Sequence, residues 1–130
     1  GKGGIGKSVV ATNLSARFAM EGKKVLHVGC DPKHDSAIRL SDSPSKIKTV
    51  TEVLGNNPSA EASGKIINKG RHGIDLIEAG GPTAGLGCAG RGVARTLETM
   101  EEMELLESDI YDYAVFDVLG DVVCGGFAMP

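Results

Sequence analysis

The octet Gly1-Lys2-Gly3-Gly4-Ile5-Gly6-Lys7-Ser8 constrains the fold more than any other feature of the chain, because it fits G-x-x-x-x-G-K-[ST] in full. Such a loop belongs between a buried strand and a helix. Its glycines let backbone N–H groups curl around phosphate oxygens, Lys7 neutralises charge at the β and γ positions, and the Ser8 hydroxyl is placed to ligate Mg²⁺ at a helix N-terminus that favours anions. A glycine-rich turn without a nucleotide is the rival reading. The helix that follows and the aspartate-bearing loops further along disfavour it.

Beyond the octet, Val10, Leu14 and Phe18 recur at steps of four, which predicts an amphipathic helix over 7–21 with Gly22 at its C-terminal end. Residues 24–28 read as a strand leading into the loop Gly29-Cys30-Asp31-Pro32. The polar middle, from Lys33 to Arg71, carries helical patches over 50–54 and 60–67. Residues 74–78 read as a strand before the glycine-rich loop 79–87, and 91–107 as a helix with Val93, Leu97 and Met100 on its apolar face. Residues 113–118 form a last strand ending in Leu119-Gly120-Asp121. Strands alternating with helices imply an α/β fold of the P-loop NTPase type, with a mostly parallel sheet, helices on both faces, and ligands beyond the carboxyl ends of the strands.

The sequence holds 130 residues, the size of one domain. No strand precedes Gly1 and no helix or cap follows Pro130, so the expectation is a partial P-loop nucleotide-binding domain over 1–130. The 19 glycines cluster without a period, which excludes collagen. With 24% charged residues, a net charge of −3 and no apolar run of about 18 residues, neither a membrane span nor a basic nucleic-acid surface is expected. Cys30, Cys88 and Cys124 lack the close spacing of a zinc site, and their odd number disfavours a disulfide framework, which points to the cytoplasm. His27, His34 and His72 are scattered and receive no role.

Asp117 ends an apolar strand, where a carboxylate holds Mg²⁺ directly or through water. Asp31 and Asp121 follow strand ends, within reach of a γ-phosphate. A solvated loop carboxylate or a helix cap is the alternative for each. Cys88 and Cys124 lie in glycine-flanked loops, Gly87-Cys88-Ala89-Gly90-Arg91-Gly92 and Val122-Val123-Cys124-Gly125-Gly126. Such loops suit a metal cluster whose sulfurs accept backbone N–H bonds. A [4Fe–4S] cluster normally takes four thiolates, so two chains related by a two-fold axis would supply them. From spacing alone, two buried structural thiols remain the alternative.

Lys2 is similar to the lysine of deviant phosphate loops in dimeric ATPases, which reaches the partner subunit's nucleotide. Together, GKGGIGKS, VGCDPK, GGP…GCAGRG and FDVLGDVVCGGFAMP resemble the nitrogenase iron protein family along the whole chain. The resemblance implies a homodimer with one bridging [4Fe–4S] cluster, ATP and Mg²⁺. Such a dimer takes electrons from ferredoxin or flavodoxin and passes them to a larger catalytic component for nitrogen fixation. It implies cofactor contacts along Gly1, Lys2, Gly3, Gly4, Ile5, Gly6, Lys7 and Ser8, with Lys2 acting across the dimer. Asp31, Lys33, Asp35 and Ser36 would form a first switch, in which Asp31 positions the attacking water. Asp117 through Asp121 would form a second switch leading to Cys124, which with Cys88 ligates the cluster. Cys30 matches a non-ligand position, and Arg91 matches an arginine that some members have ADP-ribosylated.

Departures from the nitrogen-fixing pattern are Val9-Val10-Ala11-Thr12, His34 and the segment from Ile38 to Arg71. They keep open a related reductase that serves a tetrapyrrole or sulfur-compound enzyme. A rival of another class is a metal-free partitioning-type ATPase, against which the settings of Cys88 and Cys124 argue. A fragment with neither activity is the third reading.

Overall fold

A computed structural model describes residues 6–30, 35–55, 64–80, 90–107 and 109–118. Helix α1 spans Lys7–Met20, where the phosphate loop requires a helix. Gly6 stands at its N-cap with φ 85°, a left-handed backbone that carries no Cβ penalty in glycine. The other end closes as a Schellman motif. Lys23 N–H donates to the Phe18 carbonyl at 3.1 Å and Gly22 N–H to the Ala19 carbonyl at 3.0 Å, with Gly22 at φ 84°.

The face that α1 buries differs from the one that Val10, Leu14 and Phe18 suggest. Val10 is 60% exposed and Leu14 46%, whereas Thr12, Ser15 and Ala19 are buried. Small side chains on the inner stripe let the helix lie close against the sheet, and the bulkier apolar residues are left outside. Of the expected stripe, only Phe18 packs against the core, half-buried and stacked on Tyr113 with ring centroids 4.1 Å apart.

Strands β1 (Val25–Gly29), β2 (Asn68–Lys69), β3 (Asp75–Glu78) and β4 (Tyr113–Asp117) form one sheet in the order β2-β3-β1-β4. β1 is parallel to both β3 and β4, and the short β2 pairs antiparallel with β3. The fold is thus the expected α/β arrangement. β1 is buried along its whole length, as a strand covered on both faces must be. Val25 and Leu76 point to one face, with Ala19 of α1 and Ala37 of α2 (Asp35–Ile38). Leu26, Val28 and Ile77 point to the other, with Val50 and Leu54 of α3 (Val50–Leu54) and Val93 and Met100 of α4 (Gly90–Glu102).

Helix α3 matches the expected patch and is set by a capping box. Thr49 Oγ1 accepts from Glu52 N–H at 3.2 Å, and Glu52 Oε2 accepts from Thr49 N–H at 2.9 Å. Of the patch expected over 60–67, residues 60–63 lie outside the described residues, and Gly64–Ile66 form a 3₁₀ turn. α4 ends earlier than the expected Glu107. Glu104 adopts φ 53°, and Leu105 N–H reaches back to the Met100 carbonyl at 3.1 Å, tucking Leu105 into the core. The cause is electrostatic as well as apolar. Glu98, Glu101 and Glu102 load the C-terminal turns with negative charge, against the helix dipole, and no basic residue offsets them there.

Candidate functional site

The parallel register assembles the site at the carboxyl ends of three strands. Gly29 stands opposite Glu78 of β3 on one side and Asp117 of β4 on the other. Two carboxylates therefore flank a residue without a side chain. A Cβ on Gly29 would meet the Glu78 carboxylate, which would have to shift to admit it. Backbone bonds fix the strand ends: Cys30 N–H donates to the Asp117 carbonyl at 3.0 Å, and Ala79 N–H to the Gly29 carbonyl at 2.9 Å.

Asp117 is 4% exposed, and its Oδ2 has no hydrogen-bond partner among the described residues. A buried anionic oxygen without a partner among the described residues fits a hard divalent cation or its water, as the strand-end position suggests. Glu78 is also buried, and its Oε2 accepts the Ala37 N–H at 3.2 Å, pinning α2 to the sheet.

One layer further into the sheet lies His27. Its Nδ1 is 2.7 Å from Ser15 Oγ of α1, and its Nε2 is 2.6 Å from Ser36 Oγ of α2. Burial lowers its pKa to about 4, opposed by the charge of Asp117, so the imidazole is neutral. The Cys30 thiol is pushed up to about 12, first by burial and then by the negative charges of Glu78 and Asp117. It stays protonated at neutral pH.

Lys7 and Ser8 occupy the first turn of α1, both half-buried, behind Gly6. Asp35 opens α2, and Arg91 lies in the first turn of α4. Gly1, Lys2, Gly3, Gly4, Ile5, Asp31, Lys33, Cys88, Asp121 and Cys124 lie outside the described residues. Sequence reasoning passed over Glu78 and His27. Glu78 ends its strand just as Asp117 does, and His27 is the one polar side chain in the run Val25-Leu26-His27-Val28, so both signals were present.

A family model described as 4Fe-4S iron sulfur cluster binding proteins, NifH/frxC family, matches residues 1–130. The chain is 48% identical to the light-independent protochlorophyllide reductase iron-sulfur ATP-binding protein of Roseiflexus sp. (strain RS-1), covering 100% of this chain and 47% of that one. The protein of the same name from Roseobacter denitrificans (strain ATCC 33942 / OCh 114) is 47% identical, with 100% and 43% covered. The chain thus spans about half the length of the curated relatives it matches. Among solved structures, cobyrinic acid a,c-diamide synthase from Mycobacterium smegmatis with ADP and magnesium aligns at TM-score 0.63 and 21% identity, over 93% of this chain and 49% of that one. The cell division protein MinD of Aquifex aeolicus aligns at TM-score 0.58 and 24% identity, over 91% and 44%. At such identities these two show the P-loop fold. Among the described residues no helix is long and apolar enough to cross a membrane.

Proposed function

Because the chain belongs to the NifH/frxC family of 4Fe-4S iron sulfur cluster binding proteins, we propose that it is the ATP-hydrolysing electron donor of a light-independent tetrapyrrole reductase. A [4Fe–4S] cluster, ATP and Mg²⁺ are its cofactors. The identity of 47–48% with protochlorophyllide reductase ATP-binding proteins carries the tetrapyrrole reading and favours it over nitrogen fixation. Nitrogen fixation, the first expectation, stays as the second reading because Gly87–Gly92 and Phe127–Pro130 resemble the nitrogenase iron protein.

In this reading Gly1–Ser8 cradle the triphosphate, Lys7 offsets its charge, and Lys2 reaches the nucleotide of a second subunit. Ser8 and Asp117 hold Mg²⁺ from the helix start and the strand end. Asp31 orients the attacking water, with Lys33 and Asp35 beside it, and Asp121 contacts the γ-phosphate. Cys88 and Cys124 from each of two subunits would hold the cluster, which supplies one-electron transfer when bound. Loss of the phosphate contact at Asp121 is three residues from Cys124, close enough along the chain for hydrolysis to move the ligand loop. The electron passes to a larger catalytic component.

The test is iron and acid-labile sulfide in anaerobically purified protein carrying this sequence, with Cys88→Ser and Cys124→Ser variants beside it. About four irons per dimer, lost in both variants, is the expected result. The loaded protein is then mixed with MgATP and either a tetrapyrrole-reducing or a dinitrogen-reducing catalytic component. Turnover with the second alone would replace the tetrapyrrole reading by nitrogen fixation. ATP hydrolysis without iron would leave a partitioning-type ATPase.

A further inference from the structure

Ser15, His27 and Ser36 are each fully buried, at 0% exposure, and come from three different elements. A neutral imidazole has one N–H and one lone pair, so one serine donates to the ring while the other accepts from it. Ser15 and Ser36 are therefore correlated through the ring: a tautomer change reverses both bonds together. No water reaches the chain to replace a lost partner.

The two ends of this hydrogen-bond chain sit on α1, which follows the phosphate loop in sequence, and on α2, which follows the first-switch segment. Ser15 lies on the inner stripe of α1 together with Ser8 and Thr12, at positions i, i+4 and i+7, so it shares a helix face with the proposed Mg²⁺ ligand. Ser36 is the second residue of α2, directly behind the segment 31–34 that carries Asp31 and Lys33. Its neighbour Ala37 donates its N–H to Glu78 at 3.2 Å, so α2 is held on one side by His27 and on the other by Glu78.

We propose that His27 is a positioning residue which, through Ser15 and Ser36, couples the phosphate-loop helix α1 to the segment that carries the first switch. Its purpose is to hold α2, which follows the first-switch segment in the chain, against the helix that carries Lys7 and Ser8. The hydrolytic part of this inference rests on the ATPase reading above. The coupling itself does not.

Two readouts separate them, using the protein carrying this sequence and the variants Ser15→Ala, Ser36→Ala, Ser36→Thr and His27→Gln. In nucleotide-free protein, hydrogen exchange of residues 35–40 rises about tenfold in Ser15→Ala, although Ser15 lies in another element. In steady-state MgATP hydrolysis, kcat falls about tenfold in Ser15→Ala and in Ser36→Ala, with KM within twofold. The two effects do not add in the double variant, and Ser36→Thr, which keeps the hydroxyl, restores the rate. Exchange at 35–40 unchanged in Ser15→Ala overturns the coupling whatever the ATPase shows. Changed exchange with kcat intact in the folded variants overturns the positioning role. Changed exchange in Ser15→Ala, beside a wild type that hydrolyses no ATP, supports the coupling and sinks the ATPase reading instead. His27→Gln, which loses the ring that spans the two serines, breaks the chain as the serine variants do and falls with them.

Discussion

Acidification should destabilise this protein through His27 in a window that no surface histidine would produce. The ring is fully buried between two serines, and burial lowers its pKa from 6.5 to about 4. The unfolded chain therefore binds a proton at a higher pH than the folded one. This contribution to stability is complete above about pH 6.5, is lost as pH falls towards 4, and changes no further below that. One pKa unit corresponds to about 1.4 kcal/mol, so the fall from pH 7 to pH 5 removes about 2 kcal/mol and the whole window about 3 kcal/mol. The assay is urea unfolding of wild type and His27→Gln at pH 7, 6 and 5. Groups common to both proteins cancel in the difference. The stability gap between them should narrow by about 2 kcal/mol at pH 5, because only the wild type has the ring to protonate. NMR of the ring protons supplies an independent check, with no titration down to pH 5. A gap that stays constant to within about 0.5 kcal/mol, or a ring titrating near 6.5, would refute the sealed neutral imidazole.

Asp117→Asn keeps the size of the side chain but removes its negative charge. MgATP hydrolysis should drop at least about tenfold, with a raised Mg²⁺ requirement that a magnesium titration reads directly. Gly29→Ala drives a methyl group into the Glu78 carboxylate and should lower stability by about 1–3 kcal/mol in chemical denaturation. Thr49→Ala removes the acceptor of the α3 capping box and should reduce stability by about 1 kcal/mol, with exchange rising over 50–54. Cys30, buried and protonated, should resist iodoacetamide at pH 8 until the protein is unfolded; rapid labelling of the folded form would contradict its burial.

The sheet could be read from the sequence because its strands carry their signal locally. Val25–Val28, Ile74–Ile77 and Tyr113–Phe116 are short apolar runs between turn residues, and the phosphate motif fixes a helix after Gly6 whatever the helix packs against. The buried face of α1 could not be read in the same way. Hydrophobic periodicity assumes that the largest apolar residues face the core, yet α1 approaches the sheet through Thr12, Ser15 and Ala19, because Ser15 must come within hydrogen-bonding distance of a histidine. Once His27 occupies the middle of β1, a polar partner on the helix above becomes compulsory, and the apolar stripe is displaced to the outside. The same logic reaches the site. Asp117 was legible because a carboxylate at a strand end is itself a pattern. Glu78 carries the same strand-end sign and His27 stands out as a polar residue in an apolar run, but what they join is set by register, which puts Glu78 and Asp117 on either side of Gly29 and His27 beneath the glycine. Register is a property of paired strands rather than of any one segment, so a residue whose role is to join segments shows it only when the segments are brought together.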